Sequence, residues 1–297
     1  MIEVNNLVKS YDGFRALDGI SLKVKKGSVY GLIGPNGAGK STLIRCMAGI
    51  YRPDSGEISI LGENVFDNPS VMGKTAYIPD DIFYYTQATL AELSKLYSGL
   101  FPSFSMDRFN ELLHLFKMDL RAPIRKFSKG MQKQAAFCIA LACCPELMIL
   151  DEPVDGLDPV MRRTVWSIML NDVVEHGMTV FVSSHNLREL EDVCDTVGIM
   201  NQGKMVLERS LDELQENIMK IQLVLPENTA LPEGLEIIHS SVTGRVMQLI
   251  IHGNAEEITK KLETASPLLV DIVPLSLEEI FIYELGGADS EIGKIIL

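Results

Sequence analysis

Basic residues are in short supply. The chain has 27 lysines and arginines against 40 aspartates and glutamates, a formal net charge of −13. So acidic a chain lacks the positive footprint that nucleic acid or anionic lipid requires, and no nucleic-acid partner is expected. Cysteine is also scarce: Cys46, Cys138, Cys143, Cys144 and Cys194 are odd in number, form no CxxC pair and sit mostly among apolar neighbours. That usage excludes a disulfide framework and predicts buried, reduced thiols in the cytosol. Long apolar runs are missing as well. The longest, AAFCIALACCPELMIL at 135–150, is broken by Pro145 and Glu146. A membrane span needs about 20 apolar residues, so this run reads as a buried helix followed by a strand. No charged and then apolar leader opens the sequence, so a cytoplasmic protein is expected.

What is present is ordinary globular material: 297 residues, 46% of them hydrophobic, which corresponds to about two domains. IEVNNLVKSY and ISLKVKKGSVYGLIG read as strands punctuated by Gly27, and STLIRCMAGI as a helix. GEISI and TAYI are further strands. From 87 to 144 the texture turns helical, with TLAELSKLYSGLF, MDRFNELLHLF and QKQAAFCIALACC spacing their apolar residues by three and four. Then LMILD, a helix opened by Asp158 and Pro159, TVFVSS, a helix at NLRELEDVC, and TVGIM alternate. Alternation of this kind predicts an α/β fold: a mostly parallel sheet, N-terminal antiparallel strands and an inserted helical subdomain. After 217 the pattern resets. Strand-like KIQLVLP, LEIIHS, RVMQLIIHG and SPLLVDIVP mix with helical EEITKKLETA and SLEEIFIYEL, the last opened by a Ser276/Glu279 capping box. The expectation is a first domain at 1–217 and a small α+β domain at 218–297, ending in a loosely ordered GGADSEIGKIIL.

Within GLIGPNGAGKSTLIRC, Gly34, Gly39, Lys40 and Ser41 fit G-x-x-x-x-G-K-[ST] between a strand and a helix. Glycines let successive N–H groups turn inward, and a helix N-terminus favours an anion. Gly34, Asn36, Gly37, Gly39, Lys40, Ser41 and Thr42 would cradle a nucleoside triphosphate, with Lys40 on its outer phosphates and Ser41 on Mg²⁺. LMILDE at 147–152 is an apolar strand that finishes in two acids. Side chains alternate along a strand, so Asp151 is assigned to the magnesium shell and Glu152 to polarising an attacking water. The histidines are scattered and predict no metal beyond nucleotide-borne magnesium.

Over residues 1–215 these motifs resemble the ATP-binding subunits of ABC transporters, in the bacterial exporter-like branch. GPNGAGKST and LMILDEP match the two nucleotide motifs, FSKGMQ (127–132) resembles the signature, GLDP (156–159) the D-loop, and VSSH (182–185) the switch histidine. The resemblance implies an aromatic stack on adenine at Tyr11, a catalytic role for Lys40, Glu152 and His185, and Asp158 among the nucleotide-binding residues. It also implies that Ser128 and the amide of Gly130 close over the γ-phosphate held by a second ATP-binding subunit. Locally, Ser128 also reads as a helix cap, Tyr11 as a core or surface aromatic and His185 as a strand-end histidine.

Three departures stand out. Lys129 replaces the signature's first glycine, where it adds charge near the phosphate or faces solvent, and Met131 replaces its terminal glutamine. Asp80 in TAYIPDD takes the place of a glutamine that touches magnesium and the lytic water. A carboxylate can ligate Mg²⁺, but it brings negative charge and donates no hydrogen bond. The IFYYTQATL stretch (82–90) reads either as core or as a docking surface for a partner's cytoplasmic helix. The expected function is an ATPase that drives a separate transmembrane permease from the cytoplasmic face, with ATP closing and hydrolysis opening a head-to-tail dimer. The alternatives are a soluble ABC-type ATPase and a slow ATP sensor.

Overall fold

The N-terminal strands β1 (Ile2–Tyr11) and β2 (Phe14–Val24) form an antiparallel hairpin around Asp12 and Gly13, whose φ angles are 46° and 83°. Asp-Gly accepts the two positive φ values that a tight hairpin needs. With β4 (Ser55–Ile60) and β5 (Glu63–Asn64) they make an antiparallel sheet in the order β2-β1-β4-β5. The computed structural model describes residues 1–82, 84, 87–211, 213, 218–226 and 229–284. Contacts divide the chain into two units, Met1–His185 with Val193–Glu208, and Asn186–Asp192 with the residues from Arg209 onward.

The larger sheet of the first unit is built on β3 (Val29–Ile33), β7 (Leu147–Asp151) and β8 (Thr179–Ser184), in which every residue is buried. Strands covered on both faces have no use for alternation, which is why they read as continuous apolar runs. With β6 (Thr75–Ile78), β9 (Thr196–Asn201) and β10 (Lys204–Ser210) the order is β10-β9-β3-β8-β7-β6. The β9–β3, β3–β8, β8–β7 and β7–β6 pairs are all parallel. Ile33 registers with Ser184, Asp151 with Ser183 and Ile78 with Leu150, so these strands end level. The residues that follow them therefore emerge at one edge, where parallel sheets bind ligands.

Helix α1 (Lys40–Met47) follows β3, and the short α2 (Pro69–Met72) precedes β6. The helical insertion consists of α3 (Leu90–Leu100), α4 (Met106–Leu115) and α5 (Lys129–Ala142). Each has a side-chain cap: Thr89 with Glu92 as a capping box, Ser105, and Ser128. Phe109, Leu112, Phe137 and Leu141 are fully buried in it. Asp158 caps α6 (Pro159–His176), and Gly177 ends it at φ 67°.

In the second unit β11 (Ile218–Val224), β12 (Glu236–Thr243), β13 (Val246–His252) and β14 (Leu269–Val273) form an antiparallel sheet in the order β12-β13-β11-β14. Met219, Ile221, Leu223, Leu249 and Ile251 pack with Ile258 and Leu262 of α7 (Ala255–Glu263). Helix α8 (Leu277–Glu284) carries the Ser276/Glu279 capping box. Its Glu278 takes a bidentate pair from Arg188, and its first N–H, on Leu277, donates to Glu191 at 2.7 Å.

Two expectations are corrected, and one strand was missed. NLRELEDVC is not a helix; only Leu187–Glu189 form a 3-10 turn, because the two buried leucines, 187 and 190, are three apart and Arg188 and Glu191 are drawn to α8. Strand β10 escaped notice because its polar KMVLERS lacks clean alternation. Four of the five cysteines are buried, and burial pushes Cys138 and Cys143 up to about 12, but Cys144 is exposed at the end of α5. Phe83 and the tail GGADSEIGKIIL lie outside the described residues.

Candidate nucleotide site

The phosphate loop closes so tightly that side chains would not fit. A Cβ on Gly34 would run into the Met200 carbonyl, and one on Gly39, at φ 106°, would meet Ala16 O at 2.5 Å. Gly37 also has positive φ, at 81°. Gly39 hands the chain into α1, and the next residue, Lys40, is only 5% exposed. Its Nζ donates to the carbonyls of Gly34 at 2.7 Å and Pro35 at 3.3 Å, and lies 3.3 Å from Glu152 Oε1. Around it is a cavity of about 280 Å³ whose walls include Tyr11, Asn36, Gly37, Gly39, Ser41, Thr42 and Glu152. Tyr11 stands at its mouth, exposed and edge-on to Tyr51 at 6.0 Å.

From the end of β7, Asp151 is buried and its Oδ1 accepts the Ser183 hydroxyl at 2.7 Å. Glu152 follows with φ 46°. For a residue with a Cβ this left-handed backbone is uncommon and costs of order 1 kcal/mol, so the surroundings must hold it. Its N–H donates to Ser183 Oγ at 3.2 Å, its carbonyl accepts Lys133 Nζ at 2.8 Å, and its Oε2 is 2.9 Å from His185 Nδ1. Burial works to raise the Glu152 pKa, yet the His185 hydrogen bond and the Lys40 charge outweigh it and leave the carboxyl below its ordinary value. The result is a fixed carboxylate between a cation and an imidazole, facing the phosphate cavity. Asp155 completes a trio with Glu152 and His185, one ligand atom of each lying within 4.8 Å of the others.

Asp80, after β6, is half exposed and 3.6 Å from Lys133 Nζ. Burial raises its pKa; Lys133 pulls it down, while Glu152, Asp81 and Asp151 push it further up. Ser128, Gly130 and Asp158 do not wall the Lys40 cavity. Ser128 caps α5 by accepting Met131 N–H, and Asp158 accepts from Val160 and Met161 N–H. A Cβ on Gly130 would sit 3.0 Å from Gly156 O, so the start of α5 lies close against the D-loop. Lys129 is exposed. Tyr84 is half-buried and donates its hydroxyl to Gln132 O at 2.9 Å, on the wall of a cavity of about 590 Å³.

The profile of the ABC transporter family matches residues 17–155. The ABC transporter ATP-binding protein YtrB of Bacillus subtilis is 32% identical over 97% of this chain and 99% of its own length. The chain belongs to the ABC transporter ATP-binding family. A solved ATP-binding subunit of an ABC transporter is 31% identical to this subunit, with a TM-score of 0.67 over 72% of this chain and 92% of that one. A dimeric cassette in a post-hydrolysis state with ADP and Pi has a TM-score of 0.65 at 21% identity, over 71% of this chain and 99% of that one. The ABC subunit is therefore an ATP-binding ATPase of transporter systems. Among its described residues no helix is long and apolar enough to cross a membrane.

Sequence reasoning missed three groups at this ABC site. Ser183 stands inside VSSH but gave no sign of bonding Asp151 and Glu152 together. Lys133 reads as one more polar position of α5. Asp155 lies between two motifs and belongs to neither.

Proposed function

We propose that this chain is the energy-coupling subunit of a transporter, which binds ATP at the Lys40 cavity and hydrolyses it with Glu152. The observation that carries this reading is the clamped Glu152 carboxylate, held by Lys40 and His185 beside the phosphate loop. The N–H groups of the Gly34–Thr42 loop, Pro35 excepted, cradle the phosphates, Lys40 neutralises the outer ones, and Tyr11 stacks on the adenine. Oxygen donors on Ser41, Asp151 and Asp80 suit magnesium, a hard ion that selects hydroxyl and carboxylate ligands. When bound, Mg²⁺ supplies charge neutralisation on the phosphate oxygens. Glu152 accepts a proton from the attacking water, help worth about 10²–10⁴-fold. His185 keeps the carboxylate aimed.

Ser128 and Gly130 are not among the walls of the Lys40 cavity of their own chain, and in this reading they complete the γ-phosphate shell of a second subunit. A helix start offers free N–H groups and favourable potential there. Asp158 contributes at the same seam. ATP binding closes the dimer, and hydrolysis and release open it. The apolar cavity walled by Tyr77, Ile78, Tyr84, Leu96, Tyr97 and Leu100, with Leu96 and Leu100 exposed, receives a helix of a separate membrane permease. Docking there keeps the chain on the cytoplasmic membrane face. The unit from Arg209 onward is an accessory domain.

Glu152→Gln tests the reading. With ATP and magnesium this variant runs as a dimer on a sizing column, while the wild type returns to monomer. A wild type without turnover would make the chain a slow ATP sensor instead, a reading that Asp80 in place of glutamine permits.

A further inference from the structure

We infer that Lys133 is a positioning residue for Glu152, and that Asp80 is the anion that keeps Lys133 in place. The inference rests on the reading of Glu152 as the group that activates water, and begins from its backbone. The φ of 46° at Glu152 is held on one side by Ser183, through the N–H, and on the other by Lys133, through the carbonyl. A peptide pinned at both ends cannot relax toward the ordinary β region without breaking one of these bonds. The carbonyl bond is charge-assisted, the stronger kind.

Lys133 is an unusual choice for this task, being 8% exposed. Lysine is almost never so buried without a partner, because desolvating an ammonium costs several kcal/mol. A carbonyl offsets part of that cost, and the carboxylate at 3.6 Å on Asp80 supplies the opposite charge. Three elements thus meet at one Nζ: the loop after β6, the first turns of α5 and the end of β7. Asp80 and Lys133 are an ion pair that joins the loop after β6 to α5. These two residues explain each other. A carboxylate can stand beside the triphosphate site because α5 brings a cation to it, and the cation is spent on fixing the backbone of Glu152.

The test is a double-mutant cycle in the full chain, Lys133→Met, Asp80→Asn and both together, with Lys133→Arg as the conservative variant. ATPase kinetics, ATP affinity and amide hydrogen exchange of Glu152 are measured on each. Lys133→Met is expected to lower kcat about tenfold and leave KM within about threefold, the signature of a misplaced catalytic group. Glu152 N–H should exchange about tenfold faster, because the backbone is freed. Lys133→Arg should restore both to within about threefold of wild type. The double variant should be no worse than Lys133→Met, since residues in one network do not add. Unchanged kcat and unchanged exchange in Lys133→Met overturn the inference, as do strictly additive effects. The exchange readout needs no turnover, so an inactive wild type would sink the hydrolytic reading and still decide this one. If Lys133→Met fails to fold, Lys133→Arg and Asp80→Asn carry the decision: faster exchange in Asp80→Asn alone supports the inference, and wild-type exchange in both overturns it.

Discussion

Ser183→Ala removes one oxygen from the centre of the site and nothing else. The hydroxyl is fully buried on β8, donates to Asp151 Oδ1 at 2.7 Å and accepts the Glu152 N–H at 3.2 Å. A hydrogen bond to a charged group contributes about 1.5–3 kcal/mol, and a buried N–H left without an acceptor costs about 1 kcal/mol more. The methyl side chain of alanine fits the same space, so no packing loss is added. Loss of about 2.5–4 kcal/mol is expected. For a domain of this size 1 kcal/mol shifts Tm by about 2–4 °C, so Tm should fall by about 5–16 °C. Part of the loss falls on catalysis, because Glu152 keeps its left-handed backbone with one tie fewer. We expect kcat to drop about tenfold, equivalent to about 1.4 kcal/mol, with KM nearly unchanged. Scanning calorimetry and steady-state phosphate release measure the two effects on the same preparation. A Tm within about 1 °C of wild type and an unchanged kcat would show that Ser183 holds neither acid.

Tyr11→Ala should weaken ATP by about 1–3 kcal/mol, the worth of base stacking on an aromatic, while Tyr11→Phe binds within about twofold; equal loss in both, by calorimetric titration, would refute stacking. Leu96→Glu with Leu100→Glu should abolish co-purification with the permease and leave basal ATPase unchanged; retained co-purification removes the apolar cavity as the docking site. Acid should destabilise the chain. The hydrogen bond from Lys74 lowers Glu146, that from Lys9 lowers Asp54, and Glu152 is lowered too. A folded-state pKa below the unfolded one gives stability that is complete above the ordinary carboxylate range and is lost as pH falls through the folded values. Urea midpoints should therefore hold between about pH 7 and 5 and decline below about pH 4; a midpoint that rises on acidification contradicts the sign.

The glycine loop, the two acids after β7 and the histidine beside them, His185, could be located because each lies in a local string whose chemistry needs neighbours in sequence. So could the buried strands, from their apolar runs, and the caps at Ser128, Asp158 and Ser276. What was not legible comes from distance. Lys133 and Glu152 are 19 residues apart and Ser183 and Asp151 are 32 apart, and no periodicity links them. Asp80 looked like an isolated liability because the cation opposite it belongs to another element. NLRELEDVC misled for the same reason: its charges sit at helical spacing, but Arg188 and Glu191 answer to α8, which begins 86 residues beyond Glu191.

The stretch from Asn186 to Asp192 groups with the C-terminal unit although it is strung between two pieces of the first. Anyone trimming the protein after Glu208 to obtain a bare motor would strip Arg188 and Glu191 of their partners on α8, directly downstream of His185. The shortened version would then not be a neutral baseline for judging what the appendage does. A cleaner comparison leaves the chain whole and severs only the Arg188–Glu278 tie.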